Sequence, residues 1–537
     1  MTTAMEGIFA HIEQMRRETS RDMAAEHKAE LGQFFTPAPI AQAMAAMLEC
    51  REPVVSLLDA GAGAGALFAA AVTALCRRPE SPRAIHVTAY EVDPGLMDCL
   101  FQTAALCRAE CERAGVTFTA EISCADFLES AASLLGGSLF GPPASRLYHC
   151  AILNPPYRKI HTASRHRKWL RRIGVETSNL YTGFLAAAMR LLAPGGEMVA
   201  ITPRSFCNGP YFKTFRQELL QTMTLRRLHV YDSRQEAFSK DDVLQENIIF
   251  RAVKGVQDAG NVVLSRSDGP RAPQVSVREA PYAQVVRPGD PEAFIHIAPE
   301  EQDRETARRI MRLPCALSDL GLEVSTGRVV DFRAREWLRP QPELGAAPLL
   351  YPTHLRDGGI RWPKANFKKP NALMVSEATQ ALLVPNENYV LVKRFSSKEQ
   401  ARRVSATVYE AGAAPGPAVG FENHLNYFHA HGCGLDLPLA RGLAAFLNST
   451  RVDAYFRQFS GHTQVNATDL RSLKYPTARQ LRVLGQQAPR PLPQEELDVL
   501  IEVELRDTEV PVAEAPSHLI HFNGDQFLSP HQTKSHT

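Results

Sequence analysis

Residues 54–65 read VVSLLDAGAGAG, an apolar run that meets one acid and then a glycine-rich loop. The apolar run predicts a buried strand. The glycines at positions 61, 63 and 65 let the backbone approach a bound ligand closely. The apolar stretch 67–76 that follows predicts a helix, so the loop lies between a strand and a helix. This is the context in which a glycine loop indicates ligand binding.

The alternation of strand and helix continues along the chain. Strands are predicted at residues 85–90, 116–122, 150–153, 197–201, 225–231 and 247–251, and helices at 97–115, 181–192 and 212–223. This order predicts an α/β fold with a doubly wound, Rossmann-like parallel sheet. Right-handed crossovers would place the loops that follow the strands at one edge of that sheet.

The alternation stops near residue 254, and the chain then becomes irregular and rich in proline, arginine and aromatic residues. We therefore predict four parts. They are an N-terminal helical segment (1–30), the α/β domain (31–254), a mixed α+β domain (255–480) and an acidic, then His-rich tail (481–537). Part of the tail is expected to be disordered, as chain ends often are.

Acidic residues stand at the ends of the first three predicted strands. A negative charge entering the glycine loop is awkward for a pyrophosphate, but it suits a ligand with an ammonium and a sulfonium, such as S-adenosylmethionine (AdoMet). The acid after the second strand would accept both ribose hydroxyls, and the acid after the third would accept from the adenine amine. Each acid could alternatively be only a helix cap. The candidate cofactor residues are Asp59, Ala60, Gly61, Gly63, Glu91, Val92, Asp126 and Phe127.

The fourth predicted strand ends in the tetrapeptide Asn154-Pro155-Pro156-Tyr157. Asn154 offers an amide oxygen, Pro155 offers a backbone carbonyl, and Tyr157 offers a flat ring. Two acceptors and a stacking face suit an exocyclic amine on a planar ring. The alternative is a turn in which the prolines only end the strand.

A cationic segment begins directly after Tyr157. Residues 158–172 contain seven Lys or Arg and no acid, whereas the whole chain has a net charge of only +2. A run of charge is often a solvated face, but beside an amine-binding turn it favours a polyanionic substrate. The candidate contacts are Arg158, Lys159, Arg165, Arg167 and Lys168. Residues 321–410 are also basic, with fourteen Lys or Arg against nine Asp or Glu.

Other features exclude several protein classes. The first residues carry both charge signs and no long apolar core, so no signal peptide is predicted. The chain contains no stretch of about eighteen consecutive apolar residues, so no membrane span is predicted. The ten cysteines are scattered without CxxC pairs, which predicts reduced thiols, no metal site and a cytoplasmic protein.

Taken in order, these motifs resemble those of the N6-adenine DNA methyltransferases of the gamma motif order, found in type II restriction–modification systems. Gly32-Gln33-Phe34-Phe35-Thr36-Pro37 resembles the family's leading motif, which holds the methionine end of AdoMet. Residues 154–160 and 245–249 resemble the PstI/BsuBI subgroup, which implies a CTGCAG-like target. The C-terminal segments 459–461 and 465–470 resemble the end of the family's recognition domain.

The resemblance implies an AdoMet-dependent, site-specific DNA methyltransferase (EC 2.1.1.72) that modifies adenine N6 in duplex DNA and protects host DNA. Phe35, Thr36 and Pro37 would hold the cofactor, and Asn154, Pro155 and Tyr157 would act on a flipped-out adenine. Phe238 is our candidate for the second ring against the base. Residues 255–480 would recognise the target.

Three other functions stay open on the sequence alone. They are an RNA base methyltransferase, a glutamine methyltransferase acting on protein, and a DNA-binding subunit that lacks catalysis. We expect a monomer, and a cognate restriction endonuclease that is functionally linked but not bound.

Overall fold

The computed structural model describes residues 35–506, apart from 137–146, 232–246, 256–259, 271, 273, 357, 397–399 and 462. Within the predicted N-terminal helical segment it also describes Ala10, Glu13 and Gln14, which have helical backbone. None of the helices in these parts of the chain is both long and apolar enough to cross a bilayer.

A nine-stranded sheet forms the centre of the N-terminal half, in the order β3-β2-β1-β4-β5-β7-β6-β8-β9. Strands β3, β2, β1, β4 and β5 are parallel, and β7 runs antiparallel to both neighbours. The chain order reverses between β1 and β4, which is where ligands bind in such sheets. The strands are β1 Val54–Ala60, β2 Ala84–Glu91, β3 Thr117–Cys124, β4 Tyr148–Leu153, β5 Leu192–Pro203, β6 Met223–Tyr231, β7 Asn247–Lys254, β8 Asn261–Ser267 and β9 Val275–Pro281. The predicted doubly wound fold is confirmed.

Helices cover both faces of this sheet, because successive side chains of each strand point to opposite faces. In β1, Leu57 packs into one core cluster with α1, α2 and α3, whereas Leu58 packs into the other with α4, α6 and α7. These helices are α1 Ala38–Ala45, α2 Ala66–Cys76, α3 Met97–Arg113, α4 Phe127–Leu135, α5 Arg165–Arg172, α6 Leu180–Leu191 and α7 Lys213–Thr222.

The sheet continues past the domain boundary expected at residue 254. Strand β8 pairs in parallel with β6, and β9 pairs antiparallel with β8. Only the short connections 255–260 and 268–274 separate β7, β8 and β9, so the repeating strand–helix pattern is lost there and the sequence prediction ended the domain too early.

The second half is a mixed α+β domain, as expected. Its four-stranded sheet has the order β10-β20-β17-β18, its five-stranded sheet the order β11-β15-β12-β19-β16, and β13 pairs with β14. Its strands are β10 Glu323–Thr326, β11 Leu338–Arg339, β12 Ala346–Leu350, β13 Leu355–Arg356, β14 Gly359–Ile360, β15 Ala372–Met374, β16 Leu383–Pro385, β17 Tyr389–Lys393, β18 Ala406–Tyr409, β19 Ala418–Phe421 and β20 Leu425–His429. The remaining helices are α8 Tyr282–Val285, α9 Glu301–Met311, α10 Glu377–Gln380, α11 Leu437–Leu447, α12 Thr450–Phe459, α13 Ala467–Arg471, α14 Ala478–Gln487 and α15 Gln494–Leu505.

The expected tail boundary at residue 480 falls inside helix α14. Leu481, Leu497 and Ile501 are buried in the core of the second domain, so residues up to 505 belong to that domain. The acidic residues of α15 occupy its exposed face, and their charge masked the apolar face in the sequence pattern.

The N-terminal and C-terminal halves of the chain pack closely against each other near the end of β5. The buried guanidinium of Arg204 donates to the backbone carbonyls of Arg457 and Gln458. Gly461 lies so close that a Cβ atom built there would stand 2.6 Å from the carbonyl oxygen of Arg204. The segment 459–461, which resembled a family motif, therefore docks against the end of β5 in the nine-stranded sheet.

Candidate active site

The glycine loop after β1 has the backbone geometry for which glycine is needed. Gly61, Gly63 and Gly65 have φ angles of 92°, 57° and 84°, a region that other residues rarely adopt. The buried hydroxyl of Thr103 donates to the carbonyl of Ala64 over 2.9 Å. Helix α3 thus holds the loop in place.

Asp59 lies beneath this loop and is fully buried. Its Oδ2 accepts from the backbone N–H of Phe68 over 3.2 Å. Burial raises the pKa of its carboxyl to about 8, and the nearby charge of Glu91 adds to this. Asp59 therefore holds the first turn of α2, which directly follows the loop, and it does not line the cleft.

Glu91 ties the end of β2 to the glycine loop. Its Oε2 accepts from the N–H of Gly63 over 2.8 Å, and its Oε1 accepts from the N–H groups of Val92 and Asp93 over 2.8 and 2.9 Å. Burial raises the pKa of this carboxyl. Its neighbour Val92 is 39% exposed and also lines the cleft.

Asp126 is both a helix cap and a cleft residue. Its Oδ1 accepts from the N–H of Leu128 over 2.9 Å and caps α4, which was the alternative that the sequence left open. Its Oδ2 lies 2.9 Å from Nε2 of His166. The next residue, Phe127, packs its ring against Phe184 with centroids 5.3 Å apart.

One cleft collects most of the predicted cofactor residues at the carboxyl edge of the parallel strands. It is lined by Phe35, Thr36, Gly61, Ala62, Gly63, Ala64, Ala66, Leu67, Tyr90, Glu91, Val92, Ala125, Asp126, Phe127, Asn154, Pro156, Arg158, Arg165, His166, Leu180 and Phe184. Pro37 and Ala60 do not line it, since Pro37 caps α1 and Ala60 is buried at the end of β1. The sequence prediction did not include Tyr90 and His166, which also line the cleft. Tyr90 could have been predicted from its position next to Glu91 at the end of the same strand.

The tetrapeptide after β4 stands at the rim of this cleft. Asn154 donates through Nδ2 to Thr36 Oγ1 over 3.0 Å, and its Oδ1 accepts from the Tyr157 hydroxyl over 2.9 Å. The same hydroxyl lies 3.2 Å from the carbonyl oxygen of Ile201 on β5. These contacts hold the amide between the leading motif and the tyrosine.

The tyrosine of this turn is held as a neutral phenol. Burial raises the pKa of Tyr157 far above its usual value. Its ring meets that of Tyr181 edge-on, with centroids 6.2 Å apart and planes at 84°. Pro155 is buried beside it. Phe238, our candidate for the second stacking ring, lies outside the described residues.

The basic residues of segment 158–172 differ in their surroundings, because some form ion pairs within the protein and others are exposed. The Arg167 guanidinium donates to Thr177 O and Glu176 Oε2, each over 2.7 Å, and Arg171 pairs with the same glutamate. Arg167 is therefore committed to an internal ion pair, which the sequence prediction missed because Glu176 lies beyond the acid-free run. Arg158, Lys159, Arg165 and Lys168 remain exposed, and the first and third of these also line the cofactor cleft.

Comparison with known proteins identifies the family of this chain. The Eco57I restriction-modification methylase model matches residues 128–238. The type II methyltransferase M.PstI of Providencia stuartii is 43% identical over 476 residues, covering 89% of this chain and 93% of the relative. The chain belongs to the family of type II methyltransferases that includes M.PstI.

A second relative agrees with this assignment. The type II methyltransferase M.BsuBI of Bacillus subtilis is 44% identical over 465 residues, which cover 86% of this chain and 90% of that protein. A solved structure of a type I restriction–modification methyltransferase subunit from Streptococcus thermophilus is 17% identical over 51% of this chain and 52% of that chain, with a TM-score of 0.32.

Membership confirms the predicted class of enzyme and the predicted subgroup. This type II methyltransferase is a DNA methyltransferase of a restriction–modification system, and AdoMet is its methyl donor. An RNA methyltransferase, a protein glutamine methyltransferase and a non-catalytic DNA-binding subunit are not favoured by these relatives.

The cleft residues of this type II methyltransferase fit the methyl donor. A Cβ atom at Gly63 would stand 3.3 Å from the Phe35 ring, and its φ angle is 57°, so a side chain here would be strained and would crowd the cleft floor. Beneath it, Asp59 Oδ1 is buried and has no hydrogen-bond partner among the described residues. Because burial raises the pKa of the Asp59 carboxyl to about 8, the negative charge that the sequence indicated at this loop is absent at neutral pH. The acids that line the cleft are Glu91 and Asp126, whose oxygens can accept from the hydroxyl and amine groups of the donor.

Among the residues that the structure describes, Cys50, Cys150 and Glu197 form one group of possible metal ligands, which the sequence did not indicate. The Glu197 carboxylate already accepts from Arg251 over 2.7 Å and from two backbone N–H groups. Cys50 and the other nine cysteines are free thiols, as predicted.

Proposed function

We propose that this enzyme transfers a methyl group from AdoMet to adenine N6 in duplex DNA, as a site-specific adenine methyltransferase (EC 2.1.1.72). The observation that carries the proposal is the position of the Asn154 amide, held by Thr36 and Tyr157 at the rim of the cofactor cleft. An exocyclic amine held by Asn154 at this rim would lie next to a methyl donor bound in the cleft.

The proposed chemistry uses positioning rather than a covalent intermediate. The target adenine is flipped out of the duplex, because its amine is paired inside the helix. The amide oxygen of Asn154 and the carbonyl of Pro155 each accept one hydrogen of N6, and Tyr157 stacks on the ring. Asn154 Oδ1 has two lone pairs, so it can accept from N6 while it accepts from Tyr157.

These hydrogen bonds turn the nitrogen lone pair out of conjugation with the ring and toward the methyl group. As the new bond from N6 to the methyl carbon forms, the bond from that carbon to sulfur would break, sulfur would leave as a neutral thioether, and N6 would release one proton to solvent. When bound, AdoMet supplies an electrophilic methyl on a sulfonium. No cysteine of this chain takes part, since attack comes from the exocyclic nitrogen itself.

We propose that the cofactor is held along the cleft from the leading motif to the end of β3. Phe35 and Thr36 hold the methionine end, and Pro37 starts helix α1 directly behind them. Gly61 and Gly63 form the floor, while Asp59 and Ala60 support it from the end of β1. Glu91 accepts from the ribose hydroxyls. Val92 and Phe127 enclose the adenine, and Asp126 accepts from its amine.

Duplex DNA is proposed to lie between the active-site edge and the second domain. Arg158, Lys159, Arg165 and Lys168 would contact phosphates, and residues of the second domain would read the bases. We further propose that the enzyme acts in the cytoplasm as a monomer, and that a separate cognate endonuclease cleaves the same sequence.

The test is incubation of the purified enzyme with radiolabelled AdoMet and equal masses of unmethylated duplex DNA, RNA or protein. We expect label in duplex DNA that contains CTGCAG and little in a matched duplex with that sequence scrambled. Label confined to RNA or protein would overturn the proposal. Equal label in both duplexes would overturn the proposed target.

A further inference from the structure

Helix α5 carries a histidine that reaches back across the cofactor cleft. The side chain of His166 is 22% exposed, and its Nε2 lies 2.9 Å from Asp126 Oδ2. Its ring meets the ring of Trp169 edge-on, with centroids 5.4 Å apart. Both His166 and Asp126 line the cleft. The segment after the catalytic turn therefore touches the end of β3.

The position of His166 is fixed by how α5 packs. Leu170 is fully buried and lies against α6 so closely that a Cβ atom at Gly183 would stand 2.9 Å from it. Ser164 caps the helix by accepting from the N–H of Arg167 over 3.3 Å. An anchored, capped helix presents His166 at a defined place on the cleft wall.

Asp126 thus has a donor on each oxygen. Leu128 donates to Oδ1, and His166 faces Oδ2. Two donors fix both the rotamer and the plane of a carboxylate. Because a carboxylate oxygen has two lone pairs, Oδ2 can still accept from a further donor in the cleft. An acceptor that is already oriented loses less conformational freedom when a ligand binds.

We propose that His166 is a positioning residue for AdoMet. With its proton on Nε2, it donates to Asp126 and holds Oδ2 toward the adenine amine of the cofactor. This inference rests on the role of Asp126 given under the proposed function. It adds α5, which begins eight residues after Tyr157, to the elements that build the cofactor site.

The test measures the dissociation constant of AdoMet by calorimetry with the full chain and no DNA. His166→Ala is expected to weaken binding about tenfold, because a hydrogen bond to a charged group is lost. His166→Gln is expected to stay within about threefold of wild type, since its amide Nε2 can donate from a similar position. His161→Ala, an exposed histidine of the same segment, is the matched control and should bind as wild type.

A double-mutant cycle then asks whether His166 acts through Asp126. Asp126→Ser keeps a residue that caps helices well but removes the partner of His166. We expect His166→Ala to weaken AdoMet binding no further in the Asp126→Ser background. The inference would be overturned if the affinity loss of the double variant equalled the product of the two single losses. It would also be overturned if His166→Ala bound AdoMet as wild type, or if His166→Gln bound it as weakly as His166→Ala.

This outcome is separable from that of the proposed function. Circular dichroism melts of each variant establish that any loss of affinity is measured on folded protein. If methyl label were found in another acceptor but the affinity pattern held, the role of His166 would stand and the adenine assignment would fall. If adenine were labelled but His166→Ala bound AdoMet as tightly as wild type, the adenine assignment would stand and the role of His166 would fall.

Discussion

Replacing Tyr157 with phenylalanine separates the two roles that this residue has in the proposed mechanism. The ring that would stack on the target base is kept, while the hydroxyl that donates to Asn154 over 2.9 Å and lies 3.2 Å from the Ile201 carbonyl is removed. Loss of one such neutral hydrogen bond costs about 0.5–1.5 kcal/mol. If that free energy serves to orient the amide in the transition state, the rate falls by about twofold to thirteenfold.

The loss should appear in kcat. The phenol is not part of the cleft lining, so the affinity for AdoMet is expected to stay within about twofold, and the retained ring should leave KM for DNA little changed. Single-turnover methylation of a target duplex measures the rate of the step. Burial keeps the pKa of Tyr157 far above its usual value, so the effect should be the same at any pH at which the enzyme is folded.

Tyr181→Phe is the matched control. Its hydroxyl lies 3.3 Å from Ser205 Oγ, and its ring touches that of Tyr157, but no contact with Asn154 is formed by its hydroxyl among the described residues. We expect this variant to keep at least half of the wild-type rate. Equal rates for Tyr157→Phe and wild type would refute the idea that the phenol orients the amide, and so would equal losses in the two variants.

Three further substitutions test other parts of the account. Gly63→Ala should raise the dissociation constant of AdoMet at least tenfold in calorimetry, because its φ of 57° and the Phe35 ring at 3.3 Å disfavour a side chain. Gly461→Ala should lower the free energy of unfolding by about 1–3 kcal/mol in urea titrations, because its Cβ would overlap the Arg204 carbonyl; unchanged stability would contradict this close packing of the two halves. In the folded protein, burial raises the pKa of the Asp59 carboxyl from 3.8 to about 8. Below about pH 4 the carboxyl is protonated in both the folded and the unfolded chain, and its contribution to stability is fully present. As the pH rises from about 4 to 8, only the unfolded chain releases this proton, so the free energy of unfolding falls. Asp59→Asn should therefore flatten the decline of stability between about pH 4 and 8, and an unaltered pH profile would contradict the burial of a protonated acid.

The sequence was sufficient to predict the first seven strands of the nine-stranded sheet, because most of them are apolar runs that alternate with helical stretches. It was also sufficient to predict which residues at the strand ends, such as Glu91, line the cleft. Those positions follow from the topology alone, since the carboxyl ends of parallel strands meet at one edge.

Other features depend on contacts between distant positions, which a local pattern does not contain. The pairing of Arg167 with Glu176 depends on how the chain turns after α5. The contact of His166 with Asp126 joins residues forty positions apart. Strands β8 and β9 are recognised only from the sheet they complete, and the second domain has strands of two to five residues that are too short for a clear period.

The central claim is that the Asn154 turn directs the methyl group to an adenine amine. The most direct test digests a CTGCAG duplex after reaction with methyl-labelled AdoMet and identifies the labelled nucleoside by mass spectrometry. The account predicts N6-methyladenine with wild-type enzyme and none with Asn154→Ala, although that variant still binds AdoMet in calorimetry. Label in a cytosine base, or N6-methyladenine formed at the wild-type rate by Asn154→Ala, would contradict it.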